Sequence, residues 1–238
     1  MTEWLVRLKG HEFDLEELSD HFTSAELNVT KDHDGHYYLR SSDFDQMSDP
    51  GAVRKRASRL IELMNGATKL HAGESYRPVE FDVVARVDDD GKGYHHITLS
   101  VTVEGRSRMT ATPSVGETGG TANTPQPPSE AESLVDLADH NEKVADALRF
   151  HERGDWVNLY KAWEVVCDAA GNMHQVVRNG WAAEPDRGRF TGTAQSREEL
   201  GDEARHASEK YRAPKNPMTL EEARAFVQAV IRAWVATL

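Results

Sequence analysis

Apolar residues over the first hundred positions keep changing period, and each change marks a new element. Trp4, Val6 and Leu8 alternate with their neighbours and predict a strand, after which Asp14-Leu15-Glu16-Glu17-Leu18 opens a short helix that closes near Phe22. Leu27-Asn28-Val29 and His36-Tyr37-Tyr38-Leu39 flank Asp32-His33-Asp34-Gly35, and two short strands around an Asp-Gly predict a hairpin. Asp49-Pro50 predicts an N-cap with proline in the first helical position. Val53, Ala57, Leu60, Ile61 and Met64 then form a helical stripe that Asn65-Gly66 is expected to stop. Val79, Phe81, Val83, Ala85 and Val87 predict a strand, as do Ile97, Leu99, Val101 and Val103, with a turn at Asp88–Gly93 between them. The order β-α-β-β-α-β-β predicts an α+β domain over 1–109. It is an antiparallel-rich sheet with two helices on one face, ferredoxin-like or split βαβ, with an extra strand.

From Thr110 to Ser129 the chain reads TATPSVGETGGTANTPQPPS, with no period and one isolated valine. So little apolar surface cannot offset the entropy of ordering, and 110–129 is expected to be a flexible linker. Beyond it, over 130–238, the period is helical throughout. Ser129 with Glu132 resembles a capping box ahead of the face Leu134, Leu137, Ala138, Asn141, Val144, Ala145 and Leu148, which stops at Gly154. Asp155 caps a second stripe of Trp156, Leu159, Tyr160, Trp163, Val166, Cys167 and Ala170. Ser196 with Glu199 opens a third helix ending at Pro214, and Thr219 with Glu222 opens a fourth through Trp234. The expectation is an all-α four-helix domain with an ordered loop at Asn179–Thr193.

Charge narrows the partners. The net charge of −12 weighs against a protein that coats nucleic acid or an anionic membrane. Most of the acidity sits between His11 and Asp49, where eleven acidic residues face only Lys31 and Arg40, a surface read first as solubilising and second as a docking face for a basic partner. No run nears the ~20 apolar residues of a membrane span and the start lacks a leader pattern, so a cytoplasmic protein is expected. Cys167 is the single cysteine, which excludes an internal disulfide and thiolate clusters.

The polar cluster with most chemical promise is Gly201-Asp202-Glu203-Ala204-Arg205-His206-Ala207 followed by Lys215-Asn216. Arg205 offers a fork for phosphate or carboxylate and His206 a proton near neutrality, so Arg205, His206, Lys215 and Asn216 are the candidates for binding an anion. A structural Arg205, tying its helix to the Asn179–Thr193 loop, is the competing reading. Metal binding is not expected. His33 and His36 flank a turn, His95 and His96 are consecutive on a strand and point to opposite faces, and no helix carries His-x-x-x-His. Arg54, Lys55, Arg56 and Arg59 make a basic helix face, read as solvated and paired with the acidic segment before it. Trp156, Tyr160 and Trp163 are read as core with Cys167 an inert thiol, and no cofactor fingerprint appears.

GDWVNLYKAWEVV, NGW, RFTGTA, GDEARHA and APKNPMTLEEA resemble a C-terminal region of uncharacterised bacterial proteins, and EWLVRLKG, GHYYLRSSDF and LIELMNGATKL resemble the opening domain of others. That resemblance implies a bacterial, cytoplasmic protein and no activity. The helical half is also similar to HEPN-type RNA-cleaving bundles, which pair an Arg and a following polar residue with a later His. Arg205-His206 matches the first part, and Glu209, Lys210 and Tyr211 stand where the later His would fall. The favoured expectation is a non-enzymatic interaction or regulatory protein of two tethered domains with a protein partner. The other is a small nucleotide- or RNA-processing enzyme centred on Arg205 and His206.

Overall fold

The computed structural model describes residues 3–87, 93–96, 128–205, 210 and 212–238. The chain forms two compact units, one of residues 1–68 with 74–135 and one of 69–73 with 136–238. The expected strand Ile97–Val103 and the linker, up to residue 127, lie outside the described residues.

The first unit is α+β. Its strands β1 (Glu3–Lys9), β2 (Leu27–Lys31), β3 (Tyr37–Ser41), β4 (Glu80–Val87) and β5 (Gly93–His96) lie in the order β2-β3-β1-β4-β5, and every pairing is antiparallel. With α1 (Glu12–His21) between β1 and β2 and α2 (Pro50–Ala72) between β3 and β4, this is the split βαβ layout with an added edge strand. On β1 the residues Trp4, Val6 and Leu8 are buried while Leu5 and Arg7 are half-exposed, so one sheet face carries the core. Leu15 and Leu18 of α1 join Val53, Ala57, Leu60, Ile61 and Met64 of α2 in that core.

The expected stop at Asn65-Gly66 is overturned, because α2 runs on to Ala72. Asn65 is buried, and its amide is spent on the approach to β4 rather than on ending the helix. Its Nδ2 donates to the Val79 carbonyl at 2.8 Å, and its Oδ1 accepts from Val79 N–H at 2.9 Å and from the Tyr76 hydroxyl at 2.7 Å. The start of α2 follows expectation: the Asp49 carboxylate accepts from Ala52 N–H at 2.9 Å.

The second unit is all helical, in shorter pieces than four helices. The first expected helix is two, α3 (Glu130–His140), whose residues up to Val135 belong to the first unit, and α4 (Glu142–Arg153), because Asn141 is extended and its Oδ1 caps α4 at Lys143 and Val144 N–H. Gly154 ends α4 in the left-handed conformation at φ 64°. Next come α5 (Trp156–Ala170), capped by Asp155 as expected, and α6 (Met173–Arg178). The expected loop at Asn179–Thr193 is largely α7 (Glu184–Gln195), with Pro185 in its first turn. Conversely, the expected helix after Ser196 is one turn, α8 (Arg197–Leu200), followed by a 3-10 turn at Gly201–Glu203, and Ser196 makes no side-chain cap. The last helix, α9 (Leu220–Val235), has both halves of the Thr219/Glu222 capping box.

The core of this unit is aromatic, and Phe190 of α7 is its hub. Its ring centroid lies 5.0 Å from Phe226, 6.0 Å from Tyr160, 6.1 Å from Trp163 and 6.3 Å from Trp156. Trp156, Tyr160 and Trp163 are therefore packed core residues rather than the lining of a groove.

Candidate functional site

Arg205 follows the 3-10 turn, and its backbone N–H donates to the Ala194 carbonyl at the end of α7 at 2.9 Å. That bond aims the side chain back over α5. The guanidinium lies over the Tyr160 ring at 4.3 Å and donates through Nη2 to Glu164 Oε1 at 2.5 Å. Tyr160 and Glu164 are four residues apart on one helix face, so α5 offers a ring and a carboxylate side by side. The tie runs to α5 and to the last turn of α7 rather than to the 179–183 segment.

The other candidates are held elsewhere. His206 lies outside the described residues, as do Glu209 and Tyr211. Lys215 and Asn216 are exposed on the segment before α9. The Asn216 carbonyl accepts from Arg189 Nε at 3.0 Å, and Arg189 Nη2 meets both oxygens of Glu222 at 3.1 Å. Arg189 thus joins α7 to the capping box of α9, with Thr193 Oγ1 accepting from Met218 N–H at 3.0 Å beside it. Arg189 escapes sequence reading because Pro185, Gly188 and Gly192 around it have low helix propensity and mark the segment as a loop. Its spacing from Thr193 (i, i+4) and from the buried Phe190 was the available signal.

On the basic face of α2, Arg56 pairs with the acidic segment before it, donating to Asp43 at 2.7 Å, whereas Arg59 donates to Glu62 of its own helix at 3.4 Å and Arg54 lies over Phe81. At the β2–β3 hairpin, Asp32, Asp34 and His36 offer ligand atoms within 4.8 Å of one another. Asp32 Oδ1 there accepts from Asp34 and His36 N–H, both at 2.9 Å, which makes the cluster a hairpin-closing Asx turn. His95 and His96 are consecutive on β5. Burial, with help from Glu164, pushes the Cys167 thiol up to about 12, so it stays protonated and unreactive at neutral pH.

No family model, curated protein or solved structure matches the chain. No helix among the described residues is long and apolar enough to cross a membrane. The site must therefore be read from its own geometry.

One titratable group escaped sequence reading altogether. His151, 2% exposed on α4, is held down to about 4 by burial first and then by the charges of Lys69 and Arg224. Its folded pKa lies below its ordinary 6.5, so the unfolded chain binds more protons between those values. Stability should be level above about pH 6.5 and fall by about 2–3 kcal/mol as the pH drops toward 4. Urea midpoints of the parent and of His151→Phe across that window check this. The variant should lack the slope that the parent shows.

Proposed function

We propose that this chain is a non-enzymatic interaction or regulatory protein of the bacterial cytoplasm, with two tethered units and a protein partner. The observation that carries the reading is the employment of Arg205. An anion-binding or transition-state role needs a guanidinium that presents its fork to a ligand. This one spends its face on Tyr160 and its Nη2 on Glu164. A charge-assisted bond to a carboxylate on a neighbouring helix serves packing.

The partner best suited to the first unit is a basic one. Glu12, Glu16 and Asp20 are exposed on α1, Glu26 on the segment after it and Asp34 in the β2–β3 turn, and Phe13 of α1 stands 74% exposed. Opposed charges there would speed encounter and make the association salt-dependent.

An assay of the unmodified protein for RNA cleavage and for nucleotide hydrolysis tests the reading. Silence in both is expected. A cleavage or hydrolysis activity that disappears in Arg205→Ala would replace the interaction protein with the HEPN-like enzyme.

A further inference from the structure

Two helices of the chain begin on the same Ser/Thr-x-x-Glu pattern, and their glutamates sit in opposite surroundings. At α9, Glu222 N–H donates to Thr219 Oγ1 at 3.1 Å and Thr219 N–H donates back to Glu222 Oε2 at 2.8 Å. The Glu222 carboxylate is exposed and also meets Arg189. At α3, Glu132 N–H donates to Ser129 Oγ at 3.0 Å, but the Glu132 side chain is turned inward. The residue is 8% exposed, and its Oε2 is sealed from solvent with no hydrogen-bond partner. Such an atom costs stability unless its charge is removed or something meets it.

Ser129 also reaches beyond its own helix. Its Oγ donates to the His21 carbonyl at 2.7 Å and so satisfies one of the terminal carbonyls of α1. His21, Ser24, Ser129 and Glu132 all belong to the first unit, which takes in the chain as far as Val135. The start of α3 is therefore seated on the connection between α1 and β2, with Ala131 and Val135 buried beside Glu132 in the same turns. Burial weighs first against an ionised Glu132, Ser24 on that connection favours it, and the charge of Glu26 weighs against it again, which holds the carboxyl above its ordinary value of 4.5. No cation among the described residues acts on it. The remaining titratable groups on the elements that meet here are Glu17 and His21, 3.0 Å apart on α1, with Asp20 between them in sequence, and Glu130 and Asp136 on α3. An ordinary glutamate at the third position of a helix behaves in the reverse sense, strengthening the first turn as it ionises.

We propose that the first turn of α3 is a proton-gated latch, closed on the α1–β2 connection while the Glu132 carboxyl is neutral and released when that carboxyl ionises. An ionised Oε2 in this seat is a buried charge with no donor to meet it, and lifting the turn into water relieves the penalty. The closed form binds more protons than the open one, in which Glu132 returns to its ordinary value of 4.5. Closure is favoured below that value and is lost as the pH rises through the higher value of the seated group. Release frees residues 129–135 from the first unit, which makes the latch a regulatory device that does not depend on how Arg205 is employed.

The test is amide hydrogen exchange of the full-length protein between about pH 4.5 and about pH 8, corrected for the intrinsic pH dependence of exchange and read at Glu132 and Ser133. Glu132 N–H is bonded to Ser129 Oγ and Ser133 N–H to the Ser129 carbonyl at 2.9 Å, so both report an intact first turn. Their protection should fall as the pH rises, by up to about tenfold per pH unit, the slope of one linked proton. Glu132→Gln, a neutral side chain of the same shape, should keep the protection high and level. Glu26→Gln removes the opposing charge and should make the fall smaller. A parent whose protection stays level, or rises with pH as an ordinary capping glutamate requires, overturns the latch. So does a Glu132→Gln protein that repeats the parent's fall. Should that variant fail to fold, Glu26→Gln decides against the parent, and an unchanged fall overturns the proposal.

Discussion

Replacing Trp163 with alanine should lower the unfolding free energy of the helical unit by about 3–5 kcal/mol. The side chain is 2% exposed, and its ring meets Phe190 at 6.1 Å and Phe226 at 5.7 Å. The loss combines the transfer energy of a large aromatic with a cavity that three neighbouring helices cannot collapse to fill. Trp163→Phe, which keeps a ring in the same place, should recover more than half of that loss. Urea melts followed by far-ultraviolet circular dichroism of both variants check the ordering. A Trp163→Ala protein within 1 kcal/mol of the parent would mean that the aromatic cluster is not the centre of this unit.

The second large effect belongs to the α+β unit. Asn65→Ala removes one side chain and with it three buried hydrogen bonds, to the N–H and the carbonyl of Val79 and to the hydroxyl of Tyr76. Losing a buried hydrogen bond costs about 1–3 kcal/mol, so a loss of about 3–6 kcal/mol is expected for the three together. Tyr76→Phe removes just one of the three bonds and should cost about 1 kcal/mol. The contrast between the two variants separates the network from simple packing. Hydrogen exchange at Val79 N–H should accelerate sharply in Asn65→Ala and little in Tyr76→Phe.

That residue also shows where sequence reading reaches its limit. Asn65-Gly66 looks like a helix stop because Asn competes with backbone groups and Gly accepts the left-handed turn. Its true partner, Val79, is fourteen residues on, and no local pattern reveals it. The sheet was more legible. Trp4, Val6 and Leu8 carry the alternation that one buried face imposes, and the element order suffices for the split βαβ layout.

In the helical unit, the caps at Asp155 and Thr219 were legible, while the Asn141 cap that starts α4 was hidden inside a stripe that keeps its helical period across it. Misreading set in where propensity and packing disagree. Helix α7 contains Pro185, Gly188 and Gly192, and propensity marks it as loop. The burial of Phe190 among four aromatic rings overrides that preference. After Ser196 the reverse holds. The helical pattern continues on paper, but Gly201 turns the chain at φ 58°.

The candidate site was legible in its residues and not in their employment. Arg205 was named for its fork, yet only the fold reveals that Tyr160 and Glu164 lie beneath it. His151 reads as one more residue in a helix, and its burial is a tertiary fact.

The central claim is that Arg205 serves the fold, and a double-mutant cycle of Arg205→Ala and Glu164→Gln tests it most directly. In the full-length protein, Arg205→Ala should destabilise the helical unit by about 1–2 kcal/mol, from a partly exposed ion pair and a cation–π contact together. The two substitutions should couple by about 0.5–1 kcal/mol, because each removes the same bond. An Arg205→Ala protein that melts with the parent, shows no coupling to Glu164 and has lost an RNA-cleaving or nucleotide-hydrolysing activity would contradict the account.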